Sequence, residues 1–223
     1  MRLFYSPTSP FVRKVLVVAH EAGLAARVET VRAVVSPQRP NAELAAVNPL
    51  MKVPTLLDDD GRALYGSQTI CEYLDSLHEG PRLVPVSGPE RWRVMVRQAL
   101  ADGILEAGLA LREDEHRFAE PPEDGWRSGQ RLKIRQALDR FEEHADELER
   151  PIDLGQIGLA VALSWLEFRN VAGDIRASRP RLARWLDGFA QRPSMRATAP
   201  RDDAYTRAAA GASAPAPDGR RDG

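Results

Sequence analysis

Hydrophobic and polar positions change period several times along the chain. Arg2-Leu3-Phe4-Tyr5 is a short run with the character of a strand. Over residues 10–22 the apolar positions recur at helical spacing, and Gly23 follows where a helix C-cap glycine belongs. Arg27-Val28-Glu29-Thr30-Val31 alternates and is β-branched, which predicts a second strand. Residues 36–48 are polar, with a short helical piece over 42–47. Residues 53–57 then predict a strand, Asp60-Gly61 a hairpin turn, and Ala63-Leu64-Tyr65 its partner. Residues 67–77 are amphipathic, with Ile70, Cys71, Tyr73 and Leu74 on one side. The order β-α-β-α-β-β-α predicts a small α/β sheet domain over residues 1–79.

"HEGPRLVPVSGPE" is a connector rich in proline and glycine, and everything after it reads as helix. Ser87-x-x-Glu90 matches a capping box, opening a helix that runs to about residue 112. Pro121-Pro122 with Gly125 breaks the pattern, and residues 126–148 predict a second long helix. Asp153 caps "LGQIGLAVALSWLEFR", which is apolar nearly all round over 157–166 and so predicts a buried central helix. Residues 180–191 form another helix, stopped by Pro193. An all-helical domain is thus expected over 87–198. Residues 199–223, rich in Ala, Pro, Gly and Arg, are expected to be a disordered tail.

Composition narrows the function. A formal net charge of -1 argues against a nucleic-acid or polyanion binder. The single cysteine, Cys71, rules out an intramolecular disulfide and a cysteine zinc cluster. His20, His78, His116 and His144 show no ligand spacing, so no metal is expected. The N-terminus lacks a signal-peptide pattern, and no stretch approaches the ~20 apolar residues of a membrane span. The expectation is a cytoplasmic protein with no membrane partner.

Three short stretches carry candidate chemistry, each with a plainer alternative. In "SPTSPFVRKV", Ser9 before Pro10 is a preferred N-cap arrangement. The same helix N-terminus, with a hydroxyl able to donate as well as accept, would also stabilise a thiolate. Val53-Pro54 is by default a trans proline opening an edge strand. A cis bond there would turn the Val53 backbone outward to pair with an extended peptide ligand. Gly66-Ser67 reads as a turn and N-cap, or as a carboxylate site at a helix start. Cys71, on an apolar helix face, reads as buried and inert.

Taken together, "YSPTSPFVRKV", "NPLMKVPTL" and "YGSQTICEYLD", followed by "LADGILEAGLALRE" and "IDLGQIGLAVALSWLEFR", resemble the bacterial cytosolic glutathione transferase family. The resemblance spans residues 1–198. It implies an α/β thioredoxin-like N-terminal domain followed by an all-α helical-bundle domain, usually in a homodimer. It implies a detoxification enzyme using glutathione as co-substrate and a small hydrophobic electrophile as second substrate. Ser9 then matches the thiol-activating hydroxyl, and Val53 and Pro54 the clamp on the cysteinyl part. Ser67 and the preceding Gly66 match the γ-glutamyl carboxylate site. Lys52 is a candidate for the glycyl carboxylate, and Phe11 for the electrophile pocket. The sequence departs from the family at Gly66, where an acidic residue is usual. Asp102 is a candidate to compensate across the dimer, and reads equally as a solvated helix carboxylate. At the buried helix Asp153 and Gln156 replace the family's usual Ser/Thr and Asp. A glutathione-dependent reductase or peroxidase, and a non-catalytic binding or regulatory protein on the same scaffold, stay open as alternatives.

Overall fold

The computed structural model describes residues 1–35, 40–118 and 125–202. Its N-terminal part holds strands β1 (Arg2–Tyr5), β2 (Glu29–Arg32), β3 (Thr55–Leu57) and β4 (Ala63–Tyr65) in the order β2-β1-β3-β4. β1 runs parallel to β2, and the β1/β3 and β3/β4 pairs are antiparallel. Helices α1 (Pro10–Glu21), α2 (Ala42–Ala45) and α3 (Ser67–Ser76) complete this part. The two-residue period of the strands divides it into two apolar layers. Leu3 and Leu56, paired across β1 and β3, face one side with Val12, Val15 and Val18 of α1 and Ile70 and Leu74 of α3. Phe4 faces the other side, where Ala33 and Leu44 cover it. This is a thioredoxin-like α/β arrangement, as expected.

The helical part comprises α4 (Gly88–Arg117), α5 (Gly125–Glu143), α6 (Leu154–Arg169), α7 (Ile175–Ser178), α8 (Pro180–Phe189) and α9 (Pro193–Ala197). α6 is buried over nearly its whole length, packed mainly on α4. The expected cap forms in full. Asp153 Oδ1 accepts from Gln156 N at 2.8 Å, and Gln156 Oε1 accepts from Asp153 N at 2.9 Å. Arg97 Nη1 donates to the second Asp153 oxygen at 2.6 Å, tying the start of α6 to α4.

Four sequence expectations are corrected. Ser87 holds the N-cap position of α4, but its hydroxyl accepts no hydrogen bond from the helix, so there is no capping box. Glu90 pairs instead with Arg93 and Arg150. α4 continues through its polar stretch to Arg117, where Arg127 of α5 pairs with Asp114 and Glu115. The second long helix ends at Glu143, and a 3-10 turn (Ala145–Leu148) follows. Finally, β3 starts at Thr55, because Val53 and Pro54 form the loop before it. Residues 121–124 of the expected break, and the tail from 203 onward, lie outside the described residues. No helix among the described residues is long and apolar enough to cross a membrane.

Candidate active site

One row of the sheet gathers the three motif loops. The registers pair Phe4 with Thr55 and Thr55 with Tyr65. The chain leaves this row from β1 toward Ser9, enters it through Val53-Pro54, and leaves it from β4 toward Gly66 and Ser67. The antiparallel β1/β3 and β3/β4 pairings therefore bring these loops, distant in sequence, to one end of the sheet.

Ser9 caps α1, with Pro10 in the first turn. Its Oγ accepts from Val12 N at 3.4 Å, the long end of hydrogen-bond geometry. Among the described residues the Ser9 hydroxyl donates to no acceptor. Ser6 Oγ and Thr8 Oγ1 share a hydrogen bond at 3.3 Å beside it. Trp165 of α6 donates from Nε1 to Thr8 O at 3.2 Å, so the helical part holds the loop that presents Ser9. The indole reaches this position because α4 has a glycine beneath it. A Cβ on Gly108 would lie 2.8 Å from Trp165 Cζ3.

The Val53-Pro54 peptide is cis. Buried Asn48 and Thr55 secure its loop. Asn48 Nδ2 donates to Lys52 O at 3.2 Å and to Thr55 Oγ1 at 2.8 Å, and Thr55 Oγ1 donates to Lys52 O at 2.8 Å. The Lys52 side chain is exposed and Val53 is partly so.

At the third loop Gly66, not Ser67, is the N-cap, and Ser67 is the first residue of α3. Ser67 is buried, at 8% exposure. Gly66 has φ 87° and ψ 118°, a backbone that side chains disfavour. Phe11 is partly buried, with Lys14 Nζ 5.6 Å from its ring centroid.

Asp102 is neither solvated nor free. Lys14 is fully buried and donates from Nζ to both Asp102 oxygens, at 2.6 and 2.8 Å, and to Gln98 Oε1 at 3.2 Å. This cluster joins α1 to α4 and commits the Asp102 carboxylate within the chain. Cys71 is 1% exposed, and burial pushes its thiol up to about 12, which keeps it protonated and unreactive.

Sequence reasoning missed Trp165 and the Lys14–Asp102 pair because each contact joins residues far apart in the chain, and the Asn48–Thr55 pair because it forms only when the loop between them folds back on itself. Gly108, one of two glycines inside α4, was the available signal for the indole. A second missed feature is a cavity of about 250 Å³ whose wall includes Ser6, Ser9 and Arg13 of the first loop and α1, with Arg196 and Arg201 of the C-terminal segment.

A thioredoxin-like sheet, a serine-capped helix beside it and a helical part that holds the loop of that serine define the class of protein: a sheet domain followed by a helical domain. Comparison with known proteins gives the family. Residues 3–82 match the family Glutathione S-transferase, N-terminal domain, and residues 124–188 match Glutathione S-transferase, C-terminal domain. The GST-like protein YibF of Escherichia coli (strain K12) is 34% identical over 204 residues, covering 90% of this chain and 98% of YibF. A glutathione transferase family member from Pseudomonas fluorescens Pf-5, solved with bound glutathione, is 42% identical with a TM-score of 0.84. That match covers 90% of this chain and 99% of the other. A structure of a family member from the same organism with bound S-(propanoic acid)-glutathione gives 41% identity and a TM-score of 0.81, covering 91% and 100%. The chain belongs to the glutathione S-transferase family.

Proposed function

We propose that this protein is a glutathione transferase in which Ser9 activates the glutathione thiol for attack on a small electrophile. The carrying observation is the Ser9 hydroxyl. It sits at the positive end of α1, accepts only a long bond from Val12 N, and keeps its proton free to donate among the described residues. A free thiol has a pKa near ~8.5, so little is thiolate at neutral pH. A donated hydrogen bond and the helix N-terminus favour the anion. The thiolate then forms a sulfur–carbon bond as the leaving group departs, or as a double bond accepts the electron pair.

Glutathione lies along the sheet end in this reading. The Val53 backbone before Pro54 pairs with the cysteinyl part. Ser67, with the N–H groups opening α3, takes the γ-glutamyl carboxylate. Lys52 meets the glycyl carboxylate, and Phe11 lines the approach of the electrophile. The glutathione bound in the Pseudomonas structure, and the S-substituted glutathione in the second one, support this assignment. Serine at position 9, with Cys71 buried, leaves the reacting sulfur to glutathione itself. We assign the sheet domain to residues 1–79 and the helical domain to 87–198, and place the enzyme in the cytoplasm.

The test is the ultraviolet thiolate absorbance of bound glutathione near neutral pH, together with kcat/KM for a model aryl halide. Ser9→Ala is expected to lose the thiolate signal and about tenfold to hundredfold in kcat/KM, less than a fully enclosed oxyanion donor supplies because Ser9 is partly exposed. Unchanged signal and rate would reduce Ser9 to a helix cap.

The working unit in this reading is a homodimer. On α4, Trp92 is 67% and Val96 68% exposed, along a groove shared with Phe141 and Leu148. Exposed apolar surface of this kind marks an association site. Sedimentation velocity should give a dimer for the native chain and a monomer for Trp92→Glu. A native monomer at micromolar concentration would refute it.

A further inference from the structure

The cavity beside Ser9 has the wrong electrostatics for a purely apolar ligand. Arg13 lies one helical turn beyond Ser9 on the same face of α1 and is 7% exposed. Its Nη2 donates to Met195 O at 3.3 Å. Its Nε and Nη1 are buried and have no hydrogen-bond partner among the described residues. Among the described residues, the walls of the cavity contain the arginines Arg13, Arg196 and Arg201 and no aspartate or glutamate. Val12 and Leu16 supply apolar wall between them, and Ser6 and Ser9 supply hydroxyls. A buried cation without a counter-ion is unfavourable, and removing water makes it worse. Burial alone draws the Arg13 guanidinium down to about 10, with no carboxylate opposing that effect. Arg196 and Arg201 are exposed, so two further positive charges stand where a ligand would enter.

We propose that this cavity receives an anionic group, a carboxylate carried by the electrophile, and that Arg13, Arg196 and Arg201 make the enzyme selective for acidic second substrates. The inference rests on the glutathione transferase reading, since Ser9 in the same wall marks where the sulfur sits. It also amends the expectation of a simply hydrophobic electrophile. The molecule that fits has a short apolar body, against Val12 and Leu16, ending in a carboxylate. Arg13 fixes the carboxylate at depth. Arg196 and Arg201 attract it through solvent, and their share weakens as salt rises. In this proposal the role of the three is to position and select the second substrate.

The experiment compares two glutathione conjugates of nearly equal size by calorimetry, S-(3-carboxypropyl)glutathione and S-butylglutathione. The native protein should bind the carboxylate-bearing conjugate about tenfold more tightly, the scale of one charge-assisted contact. Arg13→Gln should bring the two affinities within about twofold of each other. Should Arg13→Gln fail to fold, the double variant Arg196→Gln/Arg201→Gln carries the test, because both side chains are exposed. It should reduce the preference and flatten its dependence on salt. Equal binding of the two conjugates by the native protein would overturn the proposal while leaving glutathione binding intact. So would a carboxylate preference that survives both sets of substitutions. Failure of both conjugates and of glutathione itself to bind would instead overturn the glutathione transferase reading beneath it.

Discussion

At the scale of single residues, Ser9 has two tasks whose energies can be separated. As an N-cap it satisfies one N–H of α1, through a bond of 3.4 Å. Caps of this kind stabilise by about 0.5–2 kcal/mol, and a long bond on a partly exposed residue belongs at the lower end. Ser9→Ala is therefore expected to lower stability by only about 0.5–1 kcal/mol in urea unfolding. A loss of several kcal/mol would mean that the rate defect proposed above reports a damaged helix, not a missing donor. Gly66 shows the same division. Its φ of 87° suits glycine, so the residue that lacks the family's acidic side chain is also the one the backbone there favours. Ser67 remains buried at the first turn of α3 regardless.

At the scale of elements, the loop bearing Ser9 depends on a contact between α4 and α6. Gly108 lets the Trp165 indole lie against α4, and Trp165 Nε1 holds Thr8 O. Gly108→Ala would gain about 1 kcal/mol in helix propensity. Against this, a Cβ 2.8 Å from Cζ3 imposes overpacking of about 1–3 kcal/mol. The second effect is expected to win, with a lowered melting temperature and a weaker thiolate signal as Trp165 draws away from Thr8. Wild-type stability and signal in Gly108→Ala would show that α6 does not brace the loop. Contacts of this sort mark the limit of what the chain discloses in one dimension. The periodicities of β1, α1, α3 and α6 were legible because each buries one face, or every face, and repeats accordingly. Pro10 and Asp153 were legible as helix-start signals because capping is local. Ser87 misled because a capping box requires the side chains to turn inward, and Glu90 has arginines to pair with instead. At the candidate site, Ser9, Val53, Pro54, Gly66 and Ser67 could be named because short motifs carry them. Arg13 and Arg201 meet only after the chain has folded back across nearly its whole length, and no local pattern encodes that.

At the scale of the whole molecule, α1 is tied to the helical part at both ends, and acid acts on the tie at its C-terminal end. Near its start, Lys14 holds Asp102. At its end, Glu21 accepts from Arg192 Nε at 2.9 Å and Nη2 at 2.7 Å, and from the Ser194 hydroxyl. The hydrogen bond from Arg192 is the main reason the Glu21 carboxyl lies below its ordinary 4.5, with Ser194 and the charges of Arg192 and His20 adding to it and burial opposing. A carboxyl whose folded pKa is depressed binds fewer protons folded than unfolded. Its stabilisation is complete above 4.5 and is lost as pH falls through the folded value. Asp153 acts in the opposite sense. Burial raises its pKa, so its contribution declines as pH rises through the acid range and partly masks the Glu21 effect in the native chain. Comparison with Glu21→Gln removes that overlap. At neutral pH this variant should be less stable by about 1–3 kcal/mol, the value of a charge-assisted pair that is largely buried on the carboxylate side. Melting curves from about pH 7 down to about pH 3 should show the two proteins converging, because Glu21 becomes neutral in the native chain as well. A gap that stays constant across that range would mean that Glu21 stabilises the junction through shape and neutral hydrogen bonds, and that acid does not loosen α9 from α1.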